Sequence, residues 1–95
     1  MNFMPKRELT DEQIKADVMN RLFRKNCWGA KYLPLDTLVN WLAKRVKRNG
    51  KRVKNLVRAL VNEGYLLLHK GGNTVSLNPV MSKDVTEYVE RVIGR

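Results

Sequence analysis

The tetrapeptide Lys44-Arg45-Val46-Lys47 recurs seven residues on as Lys51-Arg52-Val53-Lys54, with Asn49-Gly50 between the two copies. Residues 44–54 carry seven bases and no acid. A solvated polybasic tail has no use for valines. Here Val46 completes a helical stripe of Leu35, Leu38, Val39 and Leu42, and Val53 begins another with Leu56, Val57, Leu60 and Val61. One rival is a single helix running through Gly50, since one glycine costs only about 1 kcal/mol in a helix interior. Asn-Gly favours the turn, because both residues tolerate the left-handed conformation that ends a helix. The pattern therefore predicts two helices, 35–46 and 51–63, that meet at Asn49-Gly50. Their valines point inward, and the bases are held at the surface.

The remaining elements can be placed around this pair. Thr10 and Gln13 have the spacing of a capping box, and Asp11 and Glu12 suit a helix N-terminus. Ile14, Val18, Met19, Leu22 and Phe23 then predict a helix over 11–26. Cys27 to Ala30 reads as a turn. Lys31-Tyr32-Leu33 reads as a very short strand stopped by Pro34, which also favours a new helix start. After a Gly64 stop, residues 65–70 and 74–77 flank Gly71-Gly72-Asn73 and predict a hairpin. Val75 and Leu77 share one of its faces, with Thr74 and Ser76 opposite. Ser82 is expected to cap a last helix over 83–93, with Gly94 as its stop.

Ninety-five residues make one domain. Residues 1–9 read as a flexible arm and 10–95 as the folded unit. The class is mainly α with a small β-hairpin. A formal charge of +10 predicts a polyanionic partner. That charge is local. Residues 44–58 carry eight bases and no acid, whereas residues 71–95 carry three of each. A single cysteine, Cys27, rules out an internal disulfide and fits a reducing compartment, so the expected location is cytoplasmic. The chain shows neither an apolar stretch of signal-peptide length nor one that could span a bilayer.

On the predicted helix 51–63, the residues Lys51, Lys54, Asn55, Arg58 and Asn62 share the side away from the apolar stripe. Arginine can pair bidentately with guanine and asparagine with adenine, while lysine mainly holds phosphates. Arg58 and Asn55 are accordingly the base-reading candidates. Lys44, Arg45, Lys47, Arg48, Arg52 and Lys70 complete the expected nucleic-acid-binding set.

The order helix, short strand, helix, turn, basic helix and hairpin resembles the winged helix-turn-helix fold over residues 10–78. Three stretches carry the resemblance: LPLDTLVNWLA, VKNLVRALVNEGYL and HKGGN. The most specific piece is ALVNEGYLLL, a helix closed by Glu-Gly and followed at once by a strand. It is common in small bacterial and archaeal transcription regulators, and it resembles that of small archaeal proteins of this size more than that of any particular regulator class. The resemblance implies a DNA-binding regulator whose helix 51–63 enters the major groove. It implies a wing at 69–73 that lies on the backbone or in the minor groove. It further implies homodimerisation through the last helix, with Val85, Tyr88, Val89, Val92 and Ile93 as interface candidates. The turn between the second and third helices is more basic than usual for the family, which leans toward phosphate contact.

Two other function classes remain open at this point. One is an RNA- or ribosome-associated protein, because extra charge suits shape recognition. The other is a protein-interaction module for an acidic partner. Catalysis is not expected, since no acid–base or nucleophile constellation is visible, and no metal or cofactor is called for. Cys27 reads as a buried small residue and His69 as part of the hairpin. Trp41 lies off the main stripe of its helix, where it can cover the first helix or a partner.

Overall fold

The first helix, α1 (Asp11–Arg24), begins at the expected capping box. The Thr10 hydroxyl accepts from the Gln13 N–H at 3.1 Å, and the Gln13 amide oxygen accepts from the Thr10 N–H at 2.9 Å. The computed structural model describes residues 9–46 and 49–93, with the side chain of Arg45 left out. Residues 1–8 of the 1–9 segment expected to be a flexible arm, together with Lys47, Arg48, Gly94 and Arg95, lie outside the described residues. α1 ends two residues earlier than predicted. Asn26 adopts φ +57°, and Cys27 N–H reaches back to the Leu22 carbonyl at 2.9 Å. This left-handed closure satisfies carbonyls that the last turn would otherwise leave open.

The next elements are β1 (Leu33–Pro34) and α2 (Leu35–Ala43), followed by a 3₁₀ turn at Lys44–Val46. Pro34 belongs to the strand and does not merely stop it, since it pairs with Thr74. A proline is tolerated on an edge strand, where the missing N–H costs no ladder bond. The third helix, α3 (Gly50–Asn62), packs against α2 and α1.

The chain does bend before Gly50, by a different device from the one the sequence suggests. Neither Asn49 nor Gly50 is left-handed. Asn49 has φ −94° and ψ 75°, and its side chain caps α3 by accepting the Arg52 N–H at 3.0 Å. Gly50 is already helical and lies against α2. A Cβ there would sit 3.4 Å from Val39 Cγ1. The dipeptide thus starts a helix where it was expected to end one.

α3 closes through Gly64 (φ +92°), with the Gly64 and Tyr65 N–H groups bonded to Val61 and Leu60. β2 (Leu66–His69) and β3 (Thr74–Leu77) then form the antiparallel hairpin, and β1 adds to the other edge of β3. The sheet order is β1-β3-β2. Lys70, Gly71 and Gly72 all have positive φ, which lets the connection turn tightly at the tip. The chain continues through a 3₁₀ turn at Pro79–Met81 into α4 (Ser82–Ile93). Ser82 is inside this last helix and is not its cap. The capping side chain is Asn78, which accepts from Val80 N–H at 3.1 Å ahead of the 3₁₀ turn.

The core draws Ile14, Val18, Met19 and Leu22 from α1, Leu38, Val39 and Leu42 from α2, and Val53, Leu56, Val57 and Leu60 from α3. Leu66, Val75 and Leu77 from the sheet, Val85 from α4, and Cys27 and Val46 from the connecting segments complete it. The sheet is covered on both sides. Ser76, on the face opposite Val75 and Leu77, is fully buried beneath the loop after α1. Its hydroxyl donates to the Gly29 carbonyl at 2.8 Å and lies 2.9 Å from His69 Nε2. Because the hydroxyl proton goes to Gly29, its lone pairs accept from the imidazole N–H.

Candidate nucleic-acid interface

α3 presents two faces of opposite character. Val53, Leu56, Val57 and Leu60 are buried, and Lys51, Lys54, Asn55, Arg58 and Asn62 are exposed. The inner face is enclosed by α1, α2 and β2, so the outer one is fixed in direction. Arg52 is set apart from this row. Its guanidinium lies 2.7 Å from Asp11 Oδ1 and donates to the Leu9 carbonyl at 2.9 Å. It fastens α3 to the start of α1 and so is engaged elsewhere. At the far end of α3, Glu63 pairs with Lys15 of α1 at 3.0 Å. Burial pulls the Lys15 ammonium down, but the hydrogen bond and charge of Glu63 outweigh it and raise it above its ordinary value.

The exposed face of α3 borders two depressions. The larger, an open groove of about 670 Å³, runs between α3, the start of α2 and the hairpin tip. Lys54 and Arg58 supply its positive wall, and Gly71, Gly72 and Asn73 the opposite one. The smaller lies between α2 and α3 and includes Asn40, Lys51 and Lys54. Asp36 lines both. Asp36 belongs to the first turn of α2, and no signal in the sequence places it beside Lys54. An acid at that point offsets part of the local field and favours ligand groups that donate hydrogen bonds.

The hairpin tip differs from expectation in its side chains. Lys70 does not line the groove. Its ammonium lies over the Tyr32 ring, 5.6 Å from the centroid. His69 stacks on the same ring at 4.9 Å and contacts Ser76. Tyr32 thus holds both hairpin residues on the far face of the sheet. The groove side of the tip is made by glycine backbone and Asn73. This arrangement could not be read from the sequence, because Tyr32 lies 37 residues before His69 and carries no motif.

Lys44 is exposed at the end of α2, while Lys47 and Arg48 lie outside the described residues. The basic turn between α2 and α3 is therefore seen only at its borders. Cys27 is buried, and burial pushes its thiol up against the pull of Lys31 and Lys25. It contacts the Lys25 carbonyl, whereas His69 contacts Ser76, so the two residues have separate partners. Among the described residues, no group of three or more His, Cys, Asp or Glu side chains could hold a metal ion. Nor is any described helix long and apolar enough to cross a membrane.

The dimer candidates on α4 are divided by the fold. Val85 is fully buried in its own core. Tyr88 and Val89 are half-buried against that core, and Tyr88 meets Tyr65 edge to face at 5.7 Å. Burial raises the Tyr88 phenol above its ordinary value. Val92 is half-buried and Ile93 is 45% exposed. α4 packs chiefly on α1, which leaves Val92 and Ile93 as the part of the stripe a second chain can reach. No protein-family model, curated protein or solved structure matches the chain.

Proposed function

We propose that the protein is a winged helix-turn-helix DNA-binding protein that acts in transcription regulation. In this reading α3 enters the major groove of a duplex. Arg58 and Asn55 meet base edges, Lys51 and Lys54 hold phosphates, and the hairpin serves as the wing. The element order and the strand order β1-β3-β2 support it. The observation that carries it is the groove itself. Lys54 and Arg58 face the glycine-built tip across an open channel whose walls come from α3 and from the hairpin. Such a channel suits one strand of a duplex: the cations and the backbone N–H groups of the tip meet phosphate oxygens, and the Asp36 carboxylate in the same lining meets groups that donate hydrogen bonds, such as a base amino group.

The reading is tested by selection from a random duplex library at fixed salt. An enriched motif is the expected result, and its symmetry gives the stoichiometry. Affinity falls with salt, with a log–log slope of about −0.9 per phosphate neutralised. Arg58→Ala costs about 1–3 kcal/mol on the selected site and relaxes preference at one position. Competition with a folded RNA at the same salt tests the choice of nucleic acid. If RNA displaces the selected duplex at equal concentration, the DNA assignment is wrong.

A further inference from the structure

A second cationic surface lies away from α3. Between Asp17 and Asp36 the chain contains no acid and four bases: Arg21, Arg24, Lys25 and Lys31. Three of them, with Asn20, line an open groove of about 500 Å³ along α1, and Asp17 stands in the same lining.

Cations near the end of a helix are expected from its dipole alone. The dipole does not require two of them to share one aromatic ring. Arg21 Cζ lies 5.0 Å and Lys25 Nζ 5.4 Å from the centre of the Trp41 ring. A guanidinium held by its face keeps N–H edges available for a phosphate, and it loses less rotamer freedom on binding. Three cations share this lining with the single carboxylate of Asp17, so a positive excess remains for an oxyanion to offset.

The position of Trp41 separates this surface from the first. Asp36 and Asn40 of α2 lie beside Lys51 and Lys54 of α3. Trp41 projects about 140° around the α2 axis from Asp36, at 100° per residue. α2 thus stands between two cationic surfaces that open in different directions.

We propose that the α1–α2 surface is a second phosphate-binding site, which holds the backbone of a second duplex so that one chain tethers two. This rests on the reading of α3 as the first duplex site. Arg21, Arg24 and Lys25 hold phosphates, and Trp41 keeps Arg21 and Lys25 in place.

The test uses the full chain with one immobilised duplex and one fluorescent duplex. The parent captures the fluorescent duplex. The R21Q/R24Q/K25Q variant loses that capture at least about tenfold, while its affinity for a single duplex stays within about threefold. K25E, a milder change, shows the same pattern to a smaller degree and keeps the result readable if the triple variant unfolds. Capture that is unchanged in both variants overturns the second site, as does a parent that holds one duplex but never two. A parent that binds no duplex at all overturns the α3 reading, and this inference falls with it.

Discussion

α3 and α4 are 13 and 12 residues long, and each carries an apolar stripe. α3 buries four stripe residues completely, whereas α4 buries only Val85. The reason is enclosure. α3 meets α1, α2 and β2, while α4 meets α1 and the short turn before it. Their outer faces differ as well. That of α3 carries Lys51, Lys54 and Arg58 without an acid, and that of α4 mixes Lys83 and Arg91 with Asp84, Glu87 and Glu90. A helix anchored on three sides can carry a crowded, self-repelling outer face. A helix anchored on one side carries one of mixed sign, two bases against three acids.

The largest test of this contrast is stability. Leu60→Ala in α3 should cost about 2–5 kcal/mol by urea unfolding, through lost transfer energy and a residual cavity. Val92→Ala in α4 should cost less than about 1 kcal/mol. Equal losses would mean that α4 is as much part of the core as α3. A smaller effect, of opposite sign, is expected at the groove wall. Thr74 Oγ1 is buried without a hydrogen-bond partner, so Thr74→Val should raise stability by about 1 kcal/mol. At the start of α1, Thr10→Ala removes the capping box and should cost about 1 kcal/mol, read as a lowered thermal midpoint.

The smallest effect is alkaline. Cys27, Tyr88 and Lys15 all have raised values in the folded chain. As pH rises, the unfolded chain loses these protons first, so stability falls. The loss begins above the ordinary thiol value of 9.0 and continues past the lysine value of 10.5. Cys27→Ala should remove the earliest part of that decline. A pH titration of the unfolding midpoint that is flat from 9 to 11 would contradict the burial of Cys27 and Tyr88 and the pairing of Lys15 with Glu63.

Much of the element order was legible because it rests on local rules. The capping box at Thr10, the stripe of α3 and the glycine-rich hairpin each depend on residues within a few positions of one another. Departures occur where a distant segment intervenes. Asn49-Gly50 was read as a helix stop, yet Asn49 caps α3 and Gly50 gives Val39 of α2 room to approach. Arg52 belonged by spacing to the basic cluster, yet Asp11 and the Leu9 carbonyl engage it. Lys70 was read as a wing contact, yet its ammonium lies over Tyr32.

The sequence by itself determined which helix faces are greasy, which face of α3 is cationic and where the chain turns, because periodicity and capping act over one or two helical turns. The tertiary structure decided which bases are left for a ligand. Arg52 and Lys15 are paired across helices, Lys70 is directed by Tyr32 away from the groove, and Lys54 and Arg58 remain beside it. A charge near an acid or an aromatic ring differs from one in open water by its surroundings, and those surroundings are set by residues tens of positions away.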